Sequence, residues 1–270
     1  MVETDFSQQL RVYYNENQDL VTGLFSCGFL NPGEKVALLN NLIRKNGGRS
    51  VLDLGCGKGG FVPLLKLLGY DNYTGIDLSS IALETANRNY PHCTFIHGDI
   101  HDTQNLLSNS DFDLILICDV LEHSHDPAKL ISDANKLLKV GGIILIVVPN
   151  YLNFMGIRKK LKEISAYKPD TYAPFCNERP QLHENFTTSF QVMRLLRTNF
   201  FKLKKSFGWD LITAFSFRPP YAENNLKGFW ARRGEKYGRW NRLFMNRMKF
   251  FSAFFSMYYI VSATKTKRDS

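Results

Sequence analysis

Residues 51–60 read VLDLGCGKGG, an apolar run that carries one aspartate and then breaks into glycines. The apolar half suits a strand buried on both faces, and the glycines suit a tight turn that brings backbone close to a ligand. Two ligand templates share this turn. Gly55, Gly57 and Gly60 match the dinucleotide fingerprint G-x-G-x-x-G, with Asp77 near the distance expected for a ribose contact. Asp53, Gly55, Gly57 and Gly59 also read as Asp-x-Gly-x-Gly-x-Gly. A carboxylate two residues before the first glycine repels a pyrophosphate and suits a ligand bearing a cation. On the turn alone, both remain open.

Outward from this turn the first half of the chain alternates strand-like and helix-like stretches. Strands are expected at 50–55, 73–78, 94–100, 112–120 and 141–150, and helices at 33–46, 61–69, 79–90 and 126–139. In the second half, 188–199 reads as a helix, 201–209 as a strand, and 258–267 as a last strand that pairs with 201–209. Short apolar strands alternating with amphipathic helices imply right-handed crossovers and parallel pairing, hence a doubly wound α/β sheet of seven strands. Asp53, Asp77, Asp99 and Asp119 recur at spacings of 24, 22 and 20 residues, each near a strand's carboxyl end. That is the edge at which open α/β sheets bind ligands. Four carboxylates in phase describe a polar rim over one cleft.

The chain has 270 residues, 44% of them hydrophobic and 22% charged, which is enough for a large core and excludes a disordered chain. Its +9 charge is unevenly divided: net −6 over 1–150 and net +15 over 151–270. The second half therefore faces an anionic partner or presents a plain solvated basic face. Five cysteines with no C-x-x-C spacing argue against a disulfide framework and a zinc site, and fit a reducing compartment. The N-terminus, MVETDFSQQLRVYYNEN, does not read as a signal or transit peptide. The aliphatic run 143–148 is far short of the roughly 18 residues of a membrane span. A soluble, cytoplasmic protein is the expectation.

Several further motifs follow the glycine turn in order: GIDLS (75–79), GDI (98–100), FDLILICDVLEHSHDP (112–127) and LLKVGGIILIVVPN (137–150). Across residues 45–150 this ordered set resembles the class I S-adenosylmethionine-dependent methyltransferases, and among them the small-molecule enzymes related to quinone biosynthesis and to sugar and lipid modification. The resemblance implies a Rossmann-like fold with a C-terminal antiparallel strand and helical insertions, and S-adenosylmethionine as cofactor. It also implies roles. Gly55 and Gly57 would admit the methionine part of the cofactor, Asp53 would hold its ammonium end, and Asp77, beside Leu78, would take both ribose hydroxyls. Asp99 would accept from the adenine amino group while the Ile100 amide donates to the ring, and Cys118 would line the cofactor with its backbone. On this reading 1–150 holds N-terminal helices and the cofactor-binding core, and 151–270 the acceptor side of the same domain, with a lid or insertion in 150–181.

A hydroxyl acceptor calls for a base with a pKa near working pH, for which histidine is the usual choice. His123, in the loop after the fourth strand, and His183, before the 188–199 helix, are the candidates; His92, His97, His101 and His125 read as surface or loop residues. Pro219-Pro220-Tyr221 stands in the wrong place for the motif of nucleobase amino-methyltransferases. No metal is expected, although Asp119 and Glu122 at the cleft leave an opening for one. Residues 228–255 put Tyr237, Trp240, Phe244, Met248, Phe251 and Phe255 on one helical face among arginines and lysines. Such a face packs on the core or a second subunit, or lies on an anionic membrane. Nucleic acid is disfavoured, because stacking on bases needs exposed aromatics.

These readings converge on transfer of a methyl group to a small or lipid-like acceptor, at oxygen. The alternatives are an NAD-dependent oxidoreductase on the same fold, or a non-catalytic binding protein with a degenerate version of it.

Overall fold

The computed structural model describes residues 32–43, 49–107, 111–153, 156–157, 185, 187–209, 255–256 and 258–267. His183, Pro219-Pro220-Tyr221, nearly all of the expected lid and the aromatic-basic segment up to residue 254 lie outside the described residues.

Seven strands form one sheet: β1 (Ser50–Leu54), β2 (Asn72–Asp77), β3 (Thr94–His97), β4 (Phe112–Cys118), β5 (Leu138–Pro149), β6 (Phe201–Trp209) and β7 (Tyr258–Lys265). Their order across the sheet is β3-β2-β1-β4-β5-β7-β6. The pairs from β3 through β5 are parallel, and β7 inserts antiparallel to both β5 and β6. The doubly wound, mainly parallel sheet is therefore the architecture observed, and β7 lies between β5 and β6. Chain order reverses at β1, which neighbours both β2 and β4, so a crevice opens above the carboxyl ends of these strands.

Among the described residues the helices are α1 (Pro32–Ile43), α2 (Val62–Leu67), α3 (Ser80–Asn89), α4 (Thr103–Leu106), α5 (Pro127–Leu137) and α6 (Ser189–Thr198). The central strands β1, β4 and β5 are apolar on both faces because both are covered. Leu52, Leu54, Ile115, Ile117, Ile144 and Ile146 pack with Leu130, Ile131 and Ala134 of α5 and Val192 and Leu196 of α6. On the other face Val51, Leu114, Leu116 and Leu145 meet Leu39 and Leu42 of α1 and Val62 and Leu65 of α2. Side-chain caps set the helix starts: the hydroxyl of Ser79 accepts from the Ala82 amide, Asp126 from Lys129, and Thr188 with Gln191 forms a capping box. Each such cap contributes about 1 kcal/mol.

The expected strand at 94–100 stops at His97, and a 3-10 turn spans Ile100–Asp102. Asp99 accepts from the His101 amide at 2.9 Å, a local bond that competes with the strand ladder. The strand expected at 141–150 starts earlier, at Leu138, and the preceding helix ends at Leu137. No helix among the described residues is long and apolar enough to cross a membrane.

Candidate active site

The glycine turn is tied to β2 before any ligand is considered. The amides of Gly55 and Cys56 both donate to the Ile76 carbonyl, at 2.8 and 3.1 Å. Gly55 sits at φ +77°, and a Cβ there would lie 2.3 Å from Val120 Cγ2. Gly59 sits at φ +76°, and a Cβ there would come within 3.0 Å of the Tyr90 ring, whereas a Cβ on Gly60 would meet nothing within 4 Å. Glycine is therefore required at 59 and dispensable at 60. That is the pattern of Asp-x-Gly-x-Gly-x-Gly rather than the dinucleotide fingerprint, whose third glycine permits close helix–strand packing.

Asp77 ends β2 at the mouth of the crevice. Its Oδ2 accepts from the Gly57 amide at 2.7 Å, and its Oδ1 from the Ser79 amide at 2.8 Å. Each oxygen keeps acceptor capacity, so a diol can still be bound by the same carboxylate. Burial raises its carboxyl above the ordinary value, against the pull of the Ser79 and Gly57 amides. The neighbouring Leu78 is half-buried, and its carbonyl lies 3.1 Å from His97 Nε2.

Asp53, on β1, is 2% exposed. Its Oδ2 accepts from the Tyr73 hydroxyl at 2.5 Å. Burial pushes its carboxyl up to about 7; the Tyr73 hydrogen bond opposes this, and the Asp77 charge adds to it. The Cys118 thiol, ending β4, is likewise driven well up, by burial first and then by the charges of Asp53, Asp119 and Glu122. The crevice is accordingly rimmed by carboxylates, a field that favours a cationic ligand.

At the end of β3, Asp99 starts the 3-10 turn and Ile100 is half-buried against the core. Past β4, Asp119 adopts a left-handed backbone with φ +56°. Its amide donates to the Val147 carbonyl at 2.8 Å. Glu122 is 2% exposed. His123 Nε2 lies 3.9 Å from Glu122 Oε1. Asn185 pins this loop, its amide donating to the Glu122 carbonyl at 2.7 Å and its side chain to the Ser124 carbonyl at 2.6 Å. Ser124 Oγ in turn lies 3.1 Å from His101 Nε2, joining the loops after β3 and β4. His101, read from the sequence as a surface or loop residue, is half-buried, with its ring 3.8 Å from that of His125.

The fold thus sets Asp53, Gly55, Gly57, Asp77, Leu78, Asp99, Ile100 and Cys118 along adjacent strand ends, with His123 in the loop beyond β4. Tyr73, Val120 and Asn185 escaped the sequence reading. Val120 lies within the motif 112–127, but only the fold shows that Gly55 faces it. Among the described residues no group of three or more histidines, cysteines or acids is placed to hold a metal ion.

An acidic crevice over the switch point of a 3-2-1-4-5-7-6 sheet, with a backbone cradle that excludes side chains, defines a Rossmann-like methyltransferase fold. Residues 45–200, more than half of the chain, match the model of the methyltransferase domain family. The chain belongs to that family, whose class I members take S-adenosylmethionine as methyl donor. It is 31% identical over 128 residues to a ubiquinone biosynthesis O-methyltransferase of Glaesserella parasuis, a match covering 45% of this chain and 53% of that protein. It is 27% identical to a demethylmenaquinone methyltransferase of Thermotoga maritima, over 68% of this chain and 75% of that one. The chain spans about half the length of the curated relatives it matches, 43% for a probable S-adenosylmethionine-dependent methyltransferase of Mycolicibacterium smegmatis at 27% identity over 42% of this chain. Among solved structures, a methyltransferase from Archaeoglobus fulgidus shares the fold at 17% identity and TM-score 0.55, covering 94% of this chain and 99% of its own. The cyclase SpnF shares it at 17% identity and TM-score 0.59, covering 96% and 97%. These likenesses show the fold alone.

Proposed function

We propose that the protein transfers a methyl group from S-adenosylmethionine to a small-molecule or lipid-like acceptor, at oxygen. The observation that carries this is the joined unit of glycine turn and Asp77: a side-chain-free cradle beside a half-buried carboxylate with remaining acceptor capacity. The cofactor supplies an activated methyl group on a sulfonium, and the carboxylates of the crevice match its charge. Gly55 and Gly57 admit its amino-acid part, and Asp53 meets the ammonium. Asp77, with Leu78 beside it, takes the ribose, and Asp99 and the Ile100 amide read the base against the backbone of Cys118. An in-line displacement from a good leaving group needs positioning and exclusion of water above all. An oxygen acceptor also needs its proton removed. His123 takes it, with Glu122 stabilising the imidazolium; His183 is the second candidate.

Relatives named for ubiquinone biosynthesis and for demethylmenaquinone support an apolar, quinone-like acceptor. The basic character of 151–270 supports an acceptor held at an anionic membrane, with 228–255 as the contact, or a homodimer with that segment packed inside; nucleic acid is disfavoured. The working location is cytoplasmic and peripheral to the membrane, with 1–150 and 151–270 acting as one domain.

The test is transfer of a labelled methyl group to hydroxylated quinols, with and without anionic liposomes, beside titration with S-adenosylhomocysteine and with NAD. Binding of the homocysteine compound and label on acceptor oxygen are expected. Binding of NAD alone would leave the oxidoreductase reading instead, and binding without transfer to any acceptor would leave a scaffold.

A further inference from the structure

Tyr73 stands on β2 in register with Val51 of β1, and Asp53 is in register with Gly75. Side chains two residues apart in a strand share a face, so Tyr73, Gly75 and Asp77 line up on one side of β2, and Val51 and Asp53 on the same side of β1. Gly75 contributes no side chain at the centre of this group. A Cβ there would lie 2.6 Å from Cys56 Sγ, so the space is already taken by the glycine turn. Along this lane the Tyr73 hydroxyl reaches Asp53 Oδ2, with Tyr73 5% and Asp53 2% exposed.

We propose that Tyr73 is a positioning residue for cofactor binding: by holding Oδ2 of Asp53, it presents Oδ1 to the cofactor's ammonium group and sets the protonation state in which the site accepts it. This rests on the reading of Asp53 as the residue that meets the ammonium. A carboxylate so deeply buried is costly to ionise without a donor, and the phenol is the donor that the fold provides. The groups facing Asp53 are Tyr73 and Asp77 from β2, Cys56 from the glycine turn and Cys118 from β4, with Asp119 and Glu122 beyond Cys118. Burial drives the Tyr73 phenol and both thiols well above their ordinary values, so these three stay neutral near pH 7. Asp53 itself, at about 7, titrates in the working range.

The sign follows from the partner. An ammonium binds the ionised carboxylate, so below about pH 7 binding must first expel a proton from Asp53, and affinity falls as pH falls. The phenol favours the ionised form; without it the carboxyl holds its proton to higher pH.

Titration calorimetry with S-adenosylhomocysteine from pH 6 to 8.5, on the full chain with thermal melts alongside, tests this. The wild type is expected to bind more weakly as pH drops below its midpoint. Tyr73→Phe is expected to bind about three- to tenfold more weakly at pH 7, with the deficit shrinking by pH 8.5 as the midpoint moves up. A merely structural loss would weaken binding equally at every pH, and that parallel profile, or an unchanged one, overturns the proposal. Site-specific difluorotyrosine at position 73 keeps the shape and strengthens the donor; it is expected to move the midpoint down, and it decides the matter if Tyr73→Phe does not fold. Asp53→Asn separates the two readings: weak binding without the acid-side decline supports Asp53 as the ammonium partner, whereas wild-type affinity removes that role and the proposal with it.

Discussion

The Gly57 amide donates a 2.7 Å hydrogen bond to Oδ2 of Asp77, so the turn after β1 and the carboxylate ending β2 are one unit. The Ser79 amide occupies the other oxygen, which ties the same carboxylate to the start of α3. Asp77→Ala removes the proposed ribose acceptor and both internal acceptors at once. Hydrogen bonds to a charged group contribute about 1.5–3 kcal/mol, so affinity for S-adenosylhomocysteine is expected to fall at least a hundredfold, with a lowered melting temperature. Asp77→Asn keeps one acceptor oxygen and is expected to fall between. Calorimetry and thermal melts measure both; wild-type affinity in Asp77→Ala would take Asp77 out of the site.

Gly59 and Gly60 are adjacent, yet only Gly59 combines a left-handed backbone with a ring at the position of a Cβ. Gly59→Ala is expected to destabilise the chain by about 1–3 kcal/mol through backbone strain and the Tyr90 contact. Gly60→Ala is expected to stay within about 0.5 kcal/mol of wild type. Denaturant unfolding of the two variants gives the answer, and a larger loss at Gly60 would restore the dinucleotide template.

That contrast also marks where the sequence was legible. Strand and helix order could be read because apolar runs, serine and aspartate caps and glycine stops are local signals. Asp77 and Asp99 could be read because each ends an apolar run. The β3 boundary was missed, since Asp99 spends its side chain on the His101 amide rather than leaving the ladder to continue. The position of β7 between β5 and β6 depends on sheet-wide packing, and nothing within YYIVSATK states it. Tyr73 and Asp53 are 20 residues apart, and only the β1–β2 register brings phenol and carboxylate together. The choice between Gly59 and Gly60 likewise needed Tyr90 in place.

His123 Nε2 lies 3.9 Å from Glu122 Oε1, with its side chain 14% exposed, so the proposed base stands beside a buried carboxylate that would steady an imidazolium. His123→Ala is expected to lower kcat about a hundredfold with affinity for S-adenosylhomocysteine unchanged, and Glu122→Gln to lower it about tenfold. Steady-state rates against pH, with His183→Ala in parallel, check this. Unchanged turnover in His123→Ala, with a loss in His183→Ala, would move the base to His183.

Asp113, near the start of β4, anchors the start of β1. Its Oδ2 accepts from the Arg49 and Ser50 amides at 3.0 and 3.1 Å and from Ser50 Oγ at 2.9 Å, while Oδ1 accepts from Lys139 Nζ at 3.2 Å. Burial alone would raise its carboxyl, but the Ser50, Arg49 and Lys139 donors outweigh it and take the value down to about 2. A carboxyl depressed on folding contributes stability above its unfolded value of about 3.9 that is lost as pH falls toward 2. Asp53 acts in the opposite sense. Raised on folding to about 7, it contributes stability at acid pH that is lost as pH rises from about 4 through 7. Stability without cofactor is therefore expected to climb from pH 2 to 4 and to decline from 4 to 7. Asp113→Asn should cost about 1–2 kcal/mol at pH 7 and flatten the acid limb, with Asp133, also depressed on folding, supplying what remains. Asp53→Asn should reduce the neutral limb, with Asp77, also raised on folding, supplying what remains, and leave the acid limb intact. Urea unfolding of both variants between pH 2.5 and 8 separates the two contributions, and an acid limb of undiminished slope in Asp113→Asn would remove the anchor from the account.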